Sequence, residues 1–105
     1  MLPDENLIYF GDTKHLPYGD KSKEAIVGYV SRITRFLIEK NCKAIVIACN
    51  TATANALKEV QEIAENKVPI IDVISPVAEK VAYEIHTNVG VIATKATVNT
   101  GIYRK

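Results

Sequence analysis

The run Ala44-Ile45-Val46-Ile47-Ala48 is fully apolar and β-branched at its centre, and it stops at Cys49-Asn50-Thr51, where an alanine-rich segment begins. A run so short and so apolar reads as a strand buried on both faces, which implies a parallel sheet with helices on either side. Cys49 then falls at the carboxyl end of the strand, where open α/β sheets bind their ligands. It also faces the amino end of the next helix, whose free N–H groups and dipole favour negative charge. Position alone makes Cys49 a candidate nucleophile or base.

The rest of the chain follows the same alternation. Strand-like runs lie at Leu7–Phe10, Ala44–Ala48, Ile70–Ile74 and Val89–Ala93. Between Ser22 and Lys40 the apolar residues Ile26, Val30, Ile33 and Leu37 recur at helical spacing, with Tyr29 and Phe36 on the flanks. Asp20 or Ser22 can cap this helix, and Asn41 can end it in a left-handed conformation. A second helical segment, Ala52–Glu65, sets Ala56, Val60 and Ile63 on one face, and a third, Pro76–His86, opens with Ser75-Pro76 as cap and first turn. A further helix begins near Lys95. Strand–helix alternation of this kind predicts an α/β fold: an open parallel sheet of about four strands flanked by helices, with right-handed crossovers, in a single domain over residues 1–105. The chain begins directly before a strand and ends shortly after one, which reads as a piece of something longer.

In a parallel sheet the carboxyl ends of the strands share one edge. Here that edge carries Gly11-Asp12-Thr13, Cys49-Asn50-Thr51, Ser75-Pro76 and Thr94-Lys95-Ala96-Thr97. Hydroxyls, amides and helix-start N–H groups so gathered make a carboxylate or phosphate site. Taken singly, each of these residues is an ordinary helix cap. Four in register around a cysteine favour a ligand site. His15 and His86 read as surface residues rather than ligands or bases, the turn Pro17-Tyr18-Gly19 as a tight loop, and Cys42, at the opposite end of its strand, as a small partly buried residue without a chemical role.

Composition narrows the function classes. A net charge of +1 with scattered lysines gives no nucleic-acid footprint. No run approaches the length of a membrane span, and Met1-Leu2-Pro3-Asp4 has no signal-peptide character. Two cysteines, Cys42 and Cys49, without zinc spacing or secretory features point to free thiols in the cytoplasm and to no metal. The five glycines are too dispersed for a P-loop or a dinucleotide fingerprint.

Four stretches resemble glutamate racemase, within the aspartate/glutamate racemase family: Tyr9-Phe10-Gly11-Asp12-Thr13, Leu16-Pro17-Tyr18-Gly19, Ala48-Cys49-Asn50-Thr51-Ala52 and Ala93-Thr94-Lys95-Ala96-Thr97-Val98. Their order and spacing agree along essentially the whole chain. The resemblance implies a cofactor-independent racemase of two similar flavodoxin-like domains with the active site between them. Two cysteines flank the α-carbon of glutamate, one removing a proton and the other returning it to the opposite face. By this match Cys49 is the base acting on the D-enantiomer. Asn50, Thr51, the Tyr18-Gly19 backbone, Thr94 and Thr97 would hold the α-amino and carboxylate groups. D-glutamate feeds peptidoglycan synthesis. The family's first strand with its Asp-Ser-Gly-Val-Gly-Gly loop is absent here, as is the second domain with its Gly-Cys-Thr-His motif. The expected reading is therefore an incomplete amino-terminal domain, inactive alone as a racemase. Its exposed apolar surface predicts self-association or pairing with the missing half. The alternatives are a racemase of aspartate or another amino acid, and a non-catalytic carboxylate-binding or interaction module.

Overall fold

The computed structural model describes residues 3–84 and 88–104. A 3-10 turn, Tyr18–Asp20, leads into helix α1 (Lys23–Glu39). Strand β1 (Ile45–Ile47), helix α2 (Asn50–Ala64), strand β2 (Ile70–Asp72) and helix α3 (Ser75–Tyr83) follow, and helix α4 (Lys95–Thr100) runs into a second 3-10 turn, Ile102–Arg104. The strands pair in parallel with Ile45 opposite Ile70, Val46 opposite Ile71 and Ile47 opposite Asp72. The crossover between them is α2, as the alternation requires.

The expected sheet of about four strands is corrected by this structure: the described residues form a sheet of two. Leu7–Phe10 and Val89–Ala93 lie in no ladder. Leu7, Tyr9 and Ile92 are 80%, 91% and 103% exposed, so these runs lack the neighbours that would turn an apolar β-branched stretch into a strand. The expectation that Ala44–Ala48 is buried on both faces is also corrected. Ile45 and Ile47 are buried but Val46 is 59% exposed, and its ladder partner Ile71 is exposed too. Among the described residues the sheet is therefore covered on one face, the face toward α2.

The core forms where α1 and α2 meet over that face. Ile26, Val30, Ile47, Ala52, Ala56, Val60 and Ala96 make one buried cluster, against which Tyr18, Val27, Leu57 and Ile70 pack. Alanines at 52 and 56 let the two helices approach closely. The buried stripe of α1 takes Thr34 where the periodicity named Ile33 and Leu37; the Thr34 hydroxyl donates to the Val30 carbonyl at 2.8 Å and so leaves no polar group unpaired.

Helix ends obey the capping chemistry. The Ser22 hydroxyl accepts from the Ala25 N–H at 3.2 Å, and Asn41, at φ 56°, gives α1 its left-handed stop. The N-cap of α3 is Ile74 rather than Ser75, and Asp72 Oδ1, two residues before it, accepts from the N–H groups of Ile74 at 2.8 Å and Ser75 at 2.7 Å. Burial works against ionisation of Asp72, but those N–H bonds outweigh it and hold the carboxyl below the usual range. Ser75 becomes the first helical residue, with Pro76 behind it. His86 lies outside the described residues.

Candidate active site

Cys49 ends the segment leaving β1 and is the N-cap of α2, with an extended backbone at φ −108° and ψ 119°. Its sulfur accepts from the Ala52 N–H at 3.4 Å, and its carbonyl accepts from the Thr53 N–H at 2.9 Å. The side chain is exposed, and so is that of Asn50, the first residue of the helix. Cys49 takes the place that serine or aspartate usually fills, which starts α2 two residues earlier than the alanine-rich pattern suggested.

Beside it the structure gathers three threonines distant in sequence. Thr51 and Thr94 hydroxyl oxygens are 2.8 Å apart, and those of Thr94 and Thr97 are 3.1 Å apart. The Thr97 hydroxyl donates to Thr51 at 3.5 Å and closes the triangle. Thr94 also caps α4, accepting from the Thr97 N–H at 3.4 Å. Thr51 and Thr97 are buried and Thr94 is exposed, so Thr94 is the corner that solvent reaches. The triangle is fixed from below by Asn55, whose amide donates to the Thr51 carbonyl at 2.9 Å.

Gly19 abuts this corner. A Cβ on Gly19 would stand 3.0 Å from the Thr94 Cβ and 3.1 Å from its Cγ2, so the turn reaches Thr94 only because residue 19 has no side chain. Tyr18, half-buried against the core, donates its hydroxyl to Asp12 Oδ2 at 2.5 Å. Burial, then the Asp12 carboxylate, and also the charge of nearby Cys49 push the Tyr18 phenol well above its ordinary value. His15 Nδ1 lies 2.9 Å from both Asp12 oxygens, and its ring stacks on Tyr29 at 4.0 Å with 16° between planes. The Tyr18 hydrogen bond, more than the His15 contact, holds Asp12 below the usual carboxylate range against the opposing effect of burial.

All the residues singled out from the sequence, Cys49, Asn50, Thr51, Tyr18, Gly19, Thr94 and Thr97, thus come to one edge of the fold. Cys42 is half-buried before the start of β1, away from that edge. His15, expected at the surface, is partly exposed, with Asp12 and Tyr29 covering the rest of its ring. Among the described residues no three His, Cys, Asp or Glu side chains are grouped to hold a metal ion.

These charge states set a pH profile. A lowered Asp12 pKa contributes stability that is complete above the ordinary carboxylate value of about 4 and is lost as pH falls through Asp12's own value. A raised Tyr18 pKa contributes stability that is complete below the ordinary phenol value of about 10 and is lost as pH rises further. Urea midpoints for the chain should be level between those limits and fall on both sides. Asp12→Asn should lessen the acid-side loss, of which Asp72 carries the remainder, and an unchanged acid slope would contradict the assignment.

The motif stretches and their geometry agree with what known proteins show. The model of the Asp/Glu/hydantoin racemases matches residues 2–105. The chain belongs to the Asp/Glu/hydantoin racemase family. Within it, glutamate racemase from Lactococcus lactis subsp. cremoris strain MG1363 is 46% identical over 106 residues, covering 100% of this chain and 38% of that protein. The enzyme from Limosilactobacillus reuteri strain DSM 20016 is 44% identical over 105 residues, again covering 100% of this chain and 39% of its own length. Glutamate racemase of Francisella tularensis subsp. tularensis SCHU S4, solved in complex with D-glutamate, superposes with a TM-score of 0.91 at 46% identity, covering 97% of this chain and 38% of that one. The Aquifex pyrophilus glutamate racemase gives 0.83 at 40% identity, covering 92% of this chain and 38% of that one. The racemase-family α/β fold is therefore present, in a chain spanning under two-fifths of those relatives' length.

Proposed function

We propose that this chain is the amino-terminal catalytic portion of a glutamate racemase, a single α/β unit over residues 1–105 corresponding to the flavodoxin-like half of a two-domain enzyme. The observation that carries the reading is the exposed Cys49 at the start of α2, beside the hydroxyl triangle and the Gly19 turn. Cys49 as thiolate removes the α-proton of D-glutamate, forming an S–H bond while the C–H electron pair stays on the α-carbon. The α-proton is very weakly acidic, so the carbanion needs donors aimed at the substrate carboxylate, where charge spreads. In this reading the Asn50 amide, the Tyr18–Gly19 backbone, the first N–H groups of α2 and the hydroxyls of Thr51, Thr94 and Thr97 supply those donors, a role the hydroxyl triangle and its solvent-reached Thr94 corner support. Inversion requires a second proton donor on the opposite face. Cys42 lies at the wrong end of β1 to supply it, and the resemblance assigns that role to a second cysteine in the portion of the relatives that this chain does not span.

Protection of Cys49 tests the site directly. D-glutamate should slow alkylation of Cys49 by iodoacetamide while leaving Cys42 unaffected, and alkylation indifferent to saturating D-glutamate would sink the reading. Among the described residues no helix is long and apolar enough to cross a membrane. The free thiols support a reducing, cytoplasmic setting.

The same reading supplies a partner. Leu7, Tyr9, Val46, Ile71, Val89 and Ile92 are all exposed, Val46 and Ile71 on the open face of the two-stranded sheet and the others along apolar β-branched runs that join no ladder. Such runs take up other strands. The partner is the complementary racemase portion, or in its absence a second copy. Light scattering should therefore show the isolated chain self-associating, and Ile92→Lys with Leu7→Lys should shift it toward monomer. A monodisperse unsubstituted monomer would refute this.

A further inference from the structure

The loop between Phe10 and Tyr18 has no regular structure, yet it must deliver Gly19 to within van der Waals contact of Thr94. Backbone hydrogen bonding does little there: Thr13 N–H to Gly11 carbonyl at 3.0 Å is the one such bond recorded in this stretch. What spans the loop is the Asp12 carboxylate. It accepts from the Tyr18 hydroxyl at 2.5 Å and meets His15 Nδ1 at 2.9 Å through both oxygens. An ionised carboxylate only accepts, so His15 carries its proton on Nδ1. Bonds to an ionised acceptor are the strong ones. The His15 ring stacks in turn on Tyr29 of α1, and the Tyr18 ring packs on the core cluster and tilts toward Tyr29 at 5.9 Å. Asp12 thereby ties both ends of the loop to one helix.

We propose that Asp12 and His15 form a clamp that fixes the Tyr18–Gly19 turn against Thr94, and so act as positioning residues for substrate binding at the Cys49 edge. The inference rests on the racemase reading of that edge and assigns to the clamp the register of its donors. Asp12 sits beneath the turn, fully engaged by Tyr18 and His15, so it acts through Tyr18 rather than on the substrate.

The test is amide NMR of the whole chain as wild type, Asp12→Ala, Asp12→Asn and Tyr18→Phe, with D-glutamate titrated into each. Tyr18→Phe removes a single oxygen and keeps the ring on the core, so it survives even if Asp12→Ala folds poorly. The expected result is that Asp12→Ala and Tyr18→Phe move the Gly19 and Thr94 resonances, leave those of the α1–α2 core in place, and weaken D-glutamate by about tenfold. Asp12→Asn, which still offers the phenol an oxygen, should recover most of the loss. Unmoved Gly19 and Thr94 resonances would overturn the clamp, as would shifts spread evenly through the core. If the unsubstituted chain binds no D-glutamate, the racemase reading fails, while the Gly19 and Thr94 shifts still decide the clamp by themselves.

Discussion

In deuterated water the chain should exchange the α-proton of D-glutamate for deuterium without inverting the centre, and Cys49→Ala should reduce that exchange about 10²- to 10⁴-fold. The argument is stereochemical. One base reaches one face of the α-carbon, and Cys49 is the cysteine that stands at the edge carrying Thr94 and Gly19. Abstraction followed by return of a solvent deuteron through the same sulfur retains configuration. L-glutamate presents its proton to the other face and should exchange far more slowly. NMR follows the loss of the α-proton signal, and circular dichroism follows inversion. Full racemisation by the isolated chain would place a second base on a partner copy and defeat the single-base account. Exchange that persists in Cys49→Ala would remove Cys49 from the mechanism altogether.

That site was largely legible in the sequence because its members are helix caps and strand ends, which local rules locate. Cys49-Asn50-Thr51 and Thr94-Lys95-Ala96-Thr97 each announce a helix start, and both starts lie on the predicted edge. What local rules could not supply was depth. Thr51 and Thr97 resemble Thr94 in sequence, but packing buries two of them and leaves the third to solvent. Nor could they show that Asp12, His15 and Tyr29 converge, since a stacked ring pair depends on where an irregular loop falls against α1. Two of the four expected strands do not form, for a related reason. Leu7–Phe10 and Val89–Ala93 have strand composition, but a strand is made by its neighbour, and among the described residues only β1 and β2 find one. Helix α1, which carries its hydrogen bonds within itself, matches the span Ser22–Lys40 read from its periodicity to within a residue at either end.

The core that supports the edge is small enough for one side chain to matter greatly. Ile26 is fully buried in α1, in the same cluster as Ala52 of α2 and Ala96 of α4. Ile26→Ala should cost about 2–5 kcal/mol, the range for emptying a buried isoleucine site, against which the better helix propensity of alanine returns only a few tenths of a kcal/mol. A domain of this size holds about 5–15 kcal/mol in all, and the exposed Leu7, Tyr9 and Ile92 place this one toward the lower end. The thermal midpoint should therefore fall by about 10–30 °C. Val77→Ala, at an exposed position of α3, should change stability by less than about 0.5 kcal/mol and serves as the control. Urea unfolding followed by circular dichroism measures both, and a loss below about 1 kcal/mol for Ile26→Ala would mean that α1 does not hold the core described. The effect should reach the chemistry as well. Ala52 gives its N–H to the Cys49 sulfur, and Ala96 lies between Thr94 and Thr97, so a cavity at Ile26 loosens the two helix starts that fix the base and its donors. Deuterium exchange into D-glutamate should consequently slow in Ile26→Ala even under conditions where the variant remains folded.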